Sequence, residues 1–161
     1  MTGKDVQLIK ARSMADIEAV QTLFRQYAAA IGVDLAYQGF GEELAGLPGA
    51  YAPPTGEVIL AQNGRGDYVG CVAVRPLPEK GVCEMKRLFV MPEGQSLGLG
   101  RRLAEAIIET ALALGYQEMR LDTLPTMGPA IALYRSLGFT EMEAYYDTPI
   151  GRTVFMRCSL S

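Results

Sequence analysis

Histidine is missing altogether from the 161 residues. That absence removes Ser-His-Asp and Cys-His catalysis and the usual zinc sites. Cysteine is scarce: Cys71, Cys83 and Cys158 are an odd number with no short metal-ligand spacing. Cys71 and Cys158 stand among Val, Met and Phe, so core packing competes there with a reactive thiol. No apolar run approaches the roughly 18 residues that cross a bilayer. Met1 to Lys10 lacks the apolar core of a signal peptide. A basic surplus is lacking too: 15 Lys and Arg stand against 18 Asp and Glu, a net charge of -3. Nucleic-acid binders normally show the opposite balance. The expectation is a soluble cytoplasmic protein with no nucleic-acid or membrane partner and no metal.

What is present suffices for a packed core, at 49% apolar and 20% charged residues. The length suits one domain, 1–161, and neither repeat nor low-complexity stretch divides it. Asp5 to Lys10 reads as a first strand. Ser13 and Asp16 form a capping-box pattern before Ile17, Val20, Phe24, Tyr27 and Ile31 at helical spacing, with Gly32 as the stop. A shorter helix is expected over 39–47, and Leu47 to Gly56, rich in Pro and Gly, reads as a loop. Glu57 to Gln62, Asp67 to Leu77 and Val82 to Met91 read as antiparallel strands joined by short turns. Leu103, Ile107, Ile108, Ala111 and Leu114 make the apolar stripe of a helix that Gly115 ends. Met119 to Thr123 is a strand, and Pro129 opens a helix that Gly138 stops. Phe139 to Tyr146 and Thr153 to Leu160 read as two final strands. This order predicts an α+β, mixed α/β fold on one sheet.

Val90-Met91-Pro92-Glu93-Gly94-Gln95-Ser96-Leu97-Gly98-Leu99-Gly100-Arg101-Arg102 carries the strongest functional signal. A strand enters, glycines turn the chain and an amphipathic helix leaves. The first N–H groups of a helix have no internal partner and sit at the positive end of its dipole, so they suit an anion. A tight turn with no ligand is the plain alternative. A dinucleotide site is a rival, with Asp122 at a strand end beyond Gly100. Context argues against it: Cys83 to Val90 is too charged for a central parallel strand, and antiparallel strands precede the loop. No Lys-Ser or Lys-Thr follows Gly100, which excludes a P-loop.

The segment resembles the acyl-CoA signature of the GNAT superfamily, the acetyl-CoA-dependent N-acetyltransferases. That pattern is Val-x-Pro, two residues, then Gln/Arg-x-x-Gly-x-Gly/Ala, met here by Val90, Pro92, Gln95, Gly98 and Gly100. Ala130 to Phe139, reading AIALYRSLGF, resembles the second signature, Leu-Tyr-x-x-x-Gly-Phe. One helix and one strand separate the two, as in that superfamily. The resemblance implies a mostly antiparallel sheet, splayed between its fourth and fifth strands and flanked by about four helices. It implies acetyl-CoA as co-substrate and no metal. Pantetheine would bond the backbone of Leu88 and Val90, on either side of Phe89. Pyrophosphate would sit on amides of Gln95, Ser96, Leu97, Gly98, Leu99, Gly100 and Arg101, with charge from Arg101 or Arg102. Ser96 and Leu97 stand where Gly and Lys are common, and Met127 replaces a frequent Asn.

Acetyl transfer to an amine needs a base, a polarised carbonyl and a stabilised leaving thiolate. The resemblance puts Tyr134 at the usual general-acid position, also touching the cofactor; packing on the face of Ile131 and Leu137 is its plain alternative. Glu84 is the candidate base. If the hairpin turns at Pro78 to Gly81, Arg75 lies opposite it, and an ion pair is then its competing role. Asp122 and Glu118 are weaker candidates, and a Cys83 relay lacks an evident base. Arg87 is left between anchoring a substrate carboxylate and solvation. Tyr145 and Tyr146 line the acceptor pocket or pack. The reading is an N-acetyltransferase acting by direct transfer on a small-molecule or peptide amine; a homodimer is left open. The alternatives are a non-catalytic acyl-CoA-binding or regulatory module and a dinucleotide-binding protein.

Overall fold

The structure is a computed structural model that describes residues 5–160 and, within them, all side chains but that of Ser96. The expectation for Met1 to Lys4 lies outside the described residues. The elements are β1 (Gln7–Lys10), α1 (Met14–Ile31), α2 (Phe40–Ala45), β2 (Glu57–Gln62), β3 (Tyr68–Pro76), β4 (Val82–Val90), α3 (Leu99–Ala113), β5 (Glu118–Thr123), α4 (Gly128–Ser136), β6 (Thr140–Met142) and β7 (Val154–Ser159). Short 3-10 turns cover Leu35–Gln38, Gly49–Tyr51 and Pro92–Leu97.

Local chemistry explains the boundaries. Ser13 and Asp16 form the expected reciprocal cap of α1, and Gly32 closes it in the left-handed conformation. Val20, Leu23 and Phe24 bury one face of α1, against Val58, Leu60, Cys71 and Ala73 of the sheet. Helix α3 buries Leu103, Ile107 and Ala111 against the opposite face. With helices on both sides, β2 and β3 are buried along nearly their whole length.

The sheet has seven strands in the order β1-β2-β3-β4-β5-β7-β6. Only β4 and β5 run parallel, and they pair only from Val82↔Glu118 to Glu84↔Arg120. Past that point β4 continues to Val90 unpaired on this side, while β5 pairs with β7 along its length. This is the expected splay between the fourth and fifth strands.

One strand is much shorter than the sequence suggests. β6 is Thr140–Met142 rather than Phe139 to Tyr146. Tyr145 and Tyr146 leave the sheet because their hydroxyls bond to carboxylates on β4 and β5. Among the described residues no helix is long and apolar enough to cross a membrane.

Candidate active site

The site lies where β4 and β5 part. A small cavity of about 20 Å³ opens there, between Lys86, Arg87 and Leu88 of β4 and Asp122 and Thr123 of β5. Tyr134 of α4, Tyr27 of α1, Gln38 and Met127 complete its lining.

A bulge in β4 sets its chemistry. Cys71 pairs with Phe89 and Ala73 with Lys86, so Arg87 and Leu88 together oppose Val72. Arg87 takes φ 62° at this point. The bulge turns Lys86 and Arg87 to the same side, toward α1 and α2. Arg87 is 3% exposed and forks onto Glu43, at 3.0 Å from Nε and from Nη2. Its guanidinium lies 5.6 Å from the Tyr27 ring centroid and 5.2 Å from that of Phe40. It is therefore neither solvated nor free for a substrate carboxylate. Lys86 is also buried. It donates to Gln38 Oε1 at 3.0 Å and stands 3.6 Å from Asp122. Burial lowers its pKa, and Asp122 opposes that shift.

Each carboxylate is held. Arg75 and Glu84 are directly opposed across β3 and β4, and Arg75 Nε donates to Glu84 Oε1 at 2.9 Å. Glu84 Oε2 accepts from Tyr145. Asp122 accepts from Tyr146 and, at 3.4 Å, from Gln38. Glu118 is tied to Arg120 and Arg157. Tyr145 and Tyr146 pack edge-on against Phe155. Burial and the neighbouring carboxylates raise both phenol pKa values.

Tyr134 is 7% exposed and packs edge-on to Phe139, with ring centroids 5.8 Å apart. Its ring thus serves the core, while its hydroxyl bonds to no other described residue and the side chain lines the cavity. Burial chiefly, with added effects of the neighbouring Tyr27 and Asp122, raises its pKa, so it stays protonated. Tyr27 is pushed up to about 12, mainly by burial. Cys83 is pushed up to about 12 by burial, with its thiol directed at the Glu118 carbonyl. A thiol held protonated is a poor relay nucleophile.

The glycine segment is not an open loop. Pro92–Leu97 is a 3-10 turn, and Gly98, at φ 71°, caps α3 without any side-chain bond to its first amides. The backbone N–H of Arg102 bonds to Gly98 O, which leaves the N–H groups of Leu99, Gly100 and Arg101 outside the intrahelical ladder. A Cβ on Gly94 would lie 2.9 Å from Leu99 Cδ1, whereas one on Gly100 would meet nothing closer than Leu133 at 3.9 Å. Gly94 is therefore needed by the protein's own packing, and Gly100 is not. Arg101 bonds to Ser136 and Arg102 to the Val6 carbonyl. Leu88, Phe89 and Val90 bring the end of β4 to the same end of the splay. Gln95 is exposed and donates to the Val90 carbonyl.

A sequence model of the Acetyltransferase (GNAT) family matches residues 34–139, from the turn before α2 to the residue after Gly138. The chain belongs to the GNAT acetyltransferase family. An uncharacterized N-acetyltransferase of Schizosaccharomyces pombe is 40% identical over 161 residues, covering 100% of this chain and 99% of the relative. The uncharacterized N-acetyltransferase YjgM of Escherichia coli is 27% identical, over 95% of this chain and 91% of its own. A GNAT acetyltransferase of Staphylococcus aureus shares the fold, with a TM-score of 0.80 at 19% identity over 97% of this chain and 99% of that one. This GNAT chain carries a mixed sheet with one parallel pair, β4–β5.

Sequence reasoning singled out Tyr134, Glu84 and Asp122 but missed Lys86, Tyr27 and Gln38 as parts of one cluster. Tyr27 was hidden in the apolar stripe of α1. Lys86 had a signal: a charge inside a strand otherwise fit for burial.

Proposed function

We propose that this chain transfers an acetyl group from acetyl-CoA to a primary amine by direct attack in a ternary complex. The observation that carries the reading is the Tyr134 side chain in the lining of a splay at whose other end α3 begins with no side-chain cap on its first amides. The unfilled N–H groups of Leu99, Gly100 and Arg101 and the open space at Gly100 fit a pyrophosphate. The unpaired edge of β4 at Leu88 and Val90 fits an extended pantetheine chain.

The reaction forms a C–N bond and breaks the thioester C–S bond. Tyr134 donates a hydrogen bond to the departing thiolate. A phenol has a pKa near 10 and a thiol near 8.5, so full proton transfer is uphill by about 2 kcal/mol. Burial of Tyr134 makes transfer harder still, and a hydrogen bond suffices. The amine proton goes to a carboxylate. Asp122 lines the cavity with Tyr134, while both oxygens of Glu84 serve Arg75 and Tyr145. This favours Asp122 as the nearer acceptor, with Glu84 as the competing base.

Thiol release from acetyl-CoA, measured across a panel of primary amines, tests the proposal. Amine-dependent release supports it. Tight acetyl-CoA binding with no release for any amine would instead point to a non-catalytic acyl-CoA-binding module.

A further inference from the structure

Gln38 lies on the wall of three spaces. One is the cavity beside Tyr134. The second, also of about 20 Å³, shares Tyr27, Asp122 and Met127 with the first and continues to Val33, Leu35 and Leu124. The third is a cleft of about 270 Å³ whose lining includes Glu42, Tyr51 and Arg75.

The Gln38 carboxamide is fixed. Its Oε1 accepts from Lys86 Nζ at 3.0 Å and from Arg87 Nη1 at 2.9 Å. Its Nε2 donates to Tyr37 Oη at 3.1 Å and to Asp122 Oδ2 at 3.4 Å. Both lone pairs and both N–H groups of the amide are thus taken, and the two cations dictate which end is the oxygen. These bonds reach both parted strands. Pairing of β4 with β5 stops at Glu84↔Arg120. Lys86 and Asp122 each stand two residues further on, and Gln38 bridges them where the ladder has ended. Space is a separate observation. The cavity beside Tyr134, at about 20 Å³, has room for about one or two water-sized groups. It takes the reacting groups and leaves none for a branched or cyclic body, while the large cleft lies on the other side of Gln38.

We infer that Gln38 is a specificity-determining residue, a partition that closes the large cleft to the acceptor and admits amines carried on a slim, unbranched chain. The inference rests on the acetyl-transfer reading above and names what limits its acceptor. The chain of the acceptor runs from Asp122 past Gln38 into the second small cavity, toward Leu35 and Leu124.

The test compares butylamine with cyclohexylmethylamine on the whole protein. Thiol release gives kcat/KM, and calorimetry on the CoA-loaded protein gives affinity without any transfer. Wild type is expected to prefer butylamine by about tenfold or more, the scale on which a pocket discriminates by methylenes. Gln38→Ala removes the partition and should abolish most of that preference. Gln38→Asn keeps an amide on a side chain one methylene shorter and should fall between; it decides the matter if the alanine variant folds poorly. Gln38→Met has the same reach without the polar bonds, so it should keep the preference even where the rate falls. In every variant Lys86 retains Asp122 and Arg87 retains Glu43, and melting temperatures check the fold. No preference in the wild type overturns the inference, and so does a preference unchanged in folded Gln38→Ala or Gln38→Asn. An equal loss in Gln38→Met overturns it too, because the polar bonds and not the wall would then select. The expected shifts in affinity with no thiol release from any of the proteins would uphold the partition and overturn the acetyl-transfer reading.

Discussion

Arg75 and Glu84 stand opposite each other across β3 and β4, joined by a 2.9 Å bond from Arg75 Nε to a carboxylate that is 1% exposed. The pair sits one step before the point where β4 and β5 part, so it anchors the near end of the splay. Glu84→Gln keeps the shape but leaves Arg75 without its counter-charge. The expected cost is about 1–3 kcal/mol of stability, read as a lower denaturation midpoint, with most turnover retained. A large loss of turnover at unchanged stability would make Glu84 the base.

Asp122→Asn should instead depress turnover most near neutral pH, by about a hundredfold or more. Partial recovery is expected at high pH, where more of the amine is already free. Tyr146→Phe removes the bond to Asp122 but leaves the carboxylate, and should keep most of the rate. The pH–rate profiles of the three proteins check this. An Asp122→Asn profile parallel to wild type and only slightly lower would rule the residue out as base.

The glycines of the proposed phosphate segment should separate by cause. Gly98 has φ 71°, so Gly98→Val strains the backbone and lowers stability as well as acetyl-CoA affinity. Gly100 has ordinary helical backbone and open space around its missing Cβ. Gly100→Val should therefore fold normally and still bind acetyl-CoA much more weakly. Calorimetry beside thermal melting tests both. Unchanged affinity in folded Gly100→Val would remove this helix end from the phosphate site.

Alkaline pH should unfold the protein early. Burial pushes Tyr27 and Cys83 up to about 12 in the fold, whereas in the unfolded chain a tyrosine ionises near 10 and a cysteine near 8.5. The unfolded state therefore loses these protons first. The stability they contribute is fully present below about pH 8.5 and is lost as pH rises toward about 12. Denaturant midpoints at neutral pH and at successive steps above pH 9 should fall steadily, and less so in Cys83→Ala. A flat midpoint through pH 11 would contradict the burial assigned to these groups.

Most of the architecture was legible because it is set locally. The Ser13 cap, the Gly32 stop, the hydrophobic stripe of α3 and the short β-turns each depend on residues close in sequence. Even the Arg75–Glu84 pair followed from counting outward from one turn. Three features were not legible, and each depends on distant partners. The bulge at Arg87 is stabilised by a fork onto Glu43, far away in sequence. The short β6 results from Tyr145 and Tyr146 reaching back to Glu84 and Asp122. The charges of β4 argued against a buried strand, yet Glu84, Lys86 and Arg87 are buried because each finds a polar partner.

Tyr134 lines the cavity of the splay while its ring packs on Phe139. Tyr134→Phe removes one oxygen atom and leaves the packing intact. The decisive measurement is single-turnover acetyl transfer by this variant, with acetyl-CoA affinity and melting temperature measured on the same sample. The expected result is near-normal folding and affinity with a rate lower by about ten- to a thousandfold, the range that a positioned donor supplies. A wild-type rate in a variant that binds acetyl-CoA normally would contradict the account.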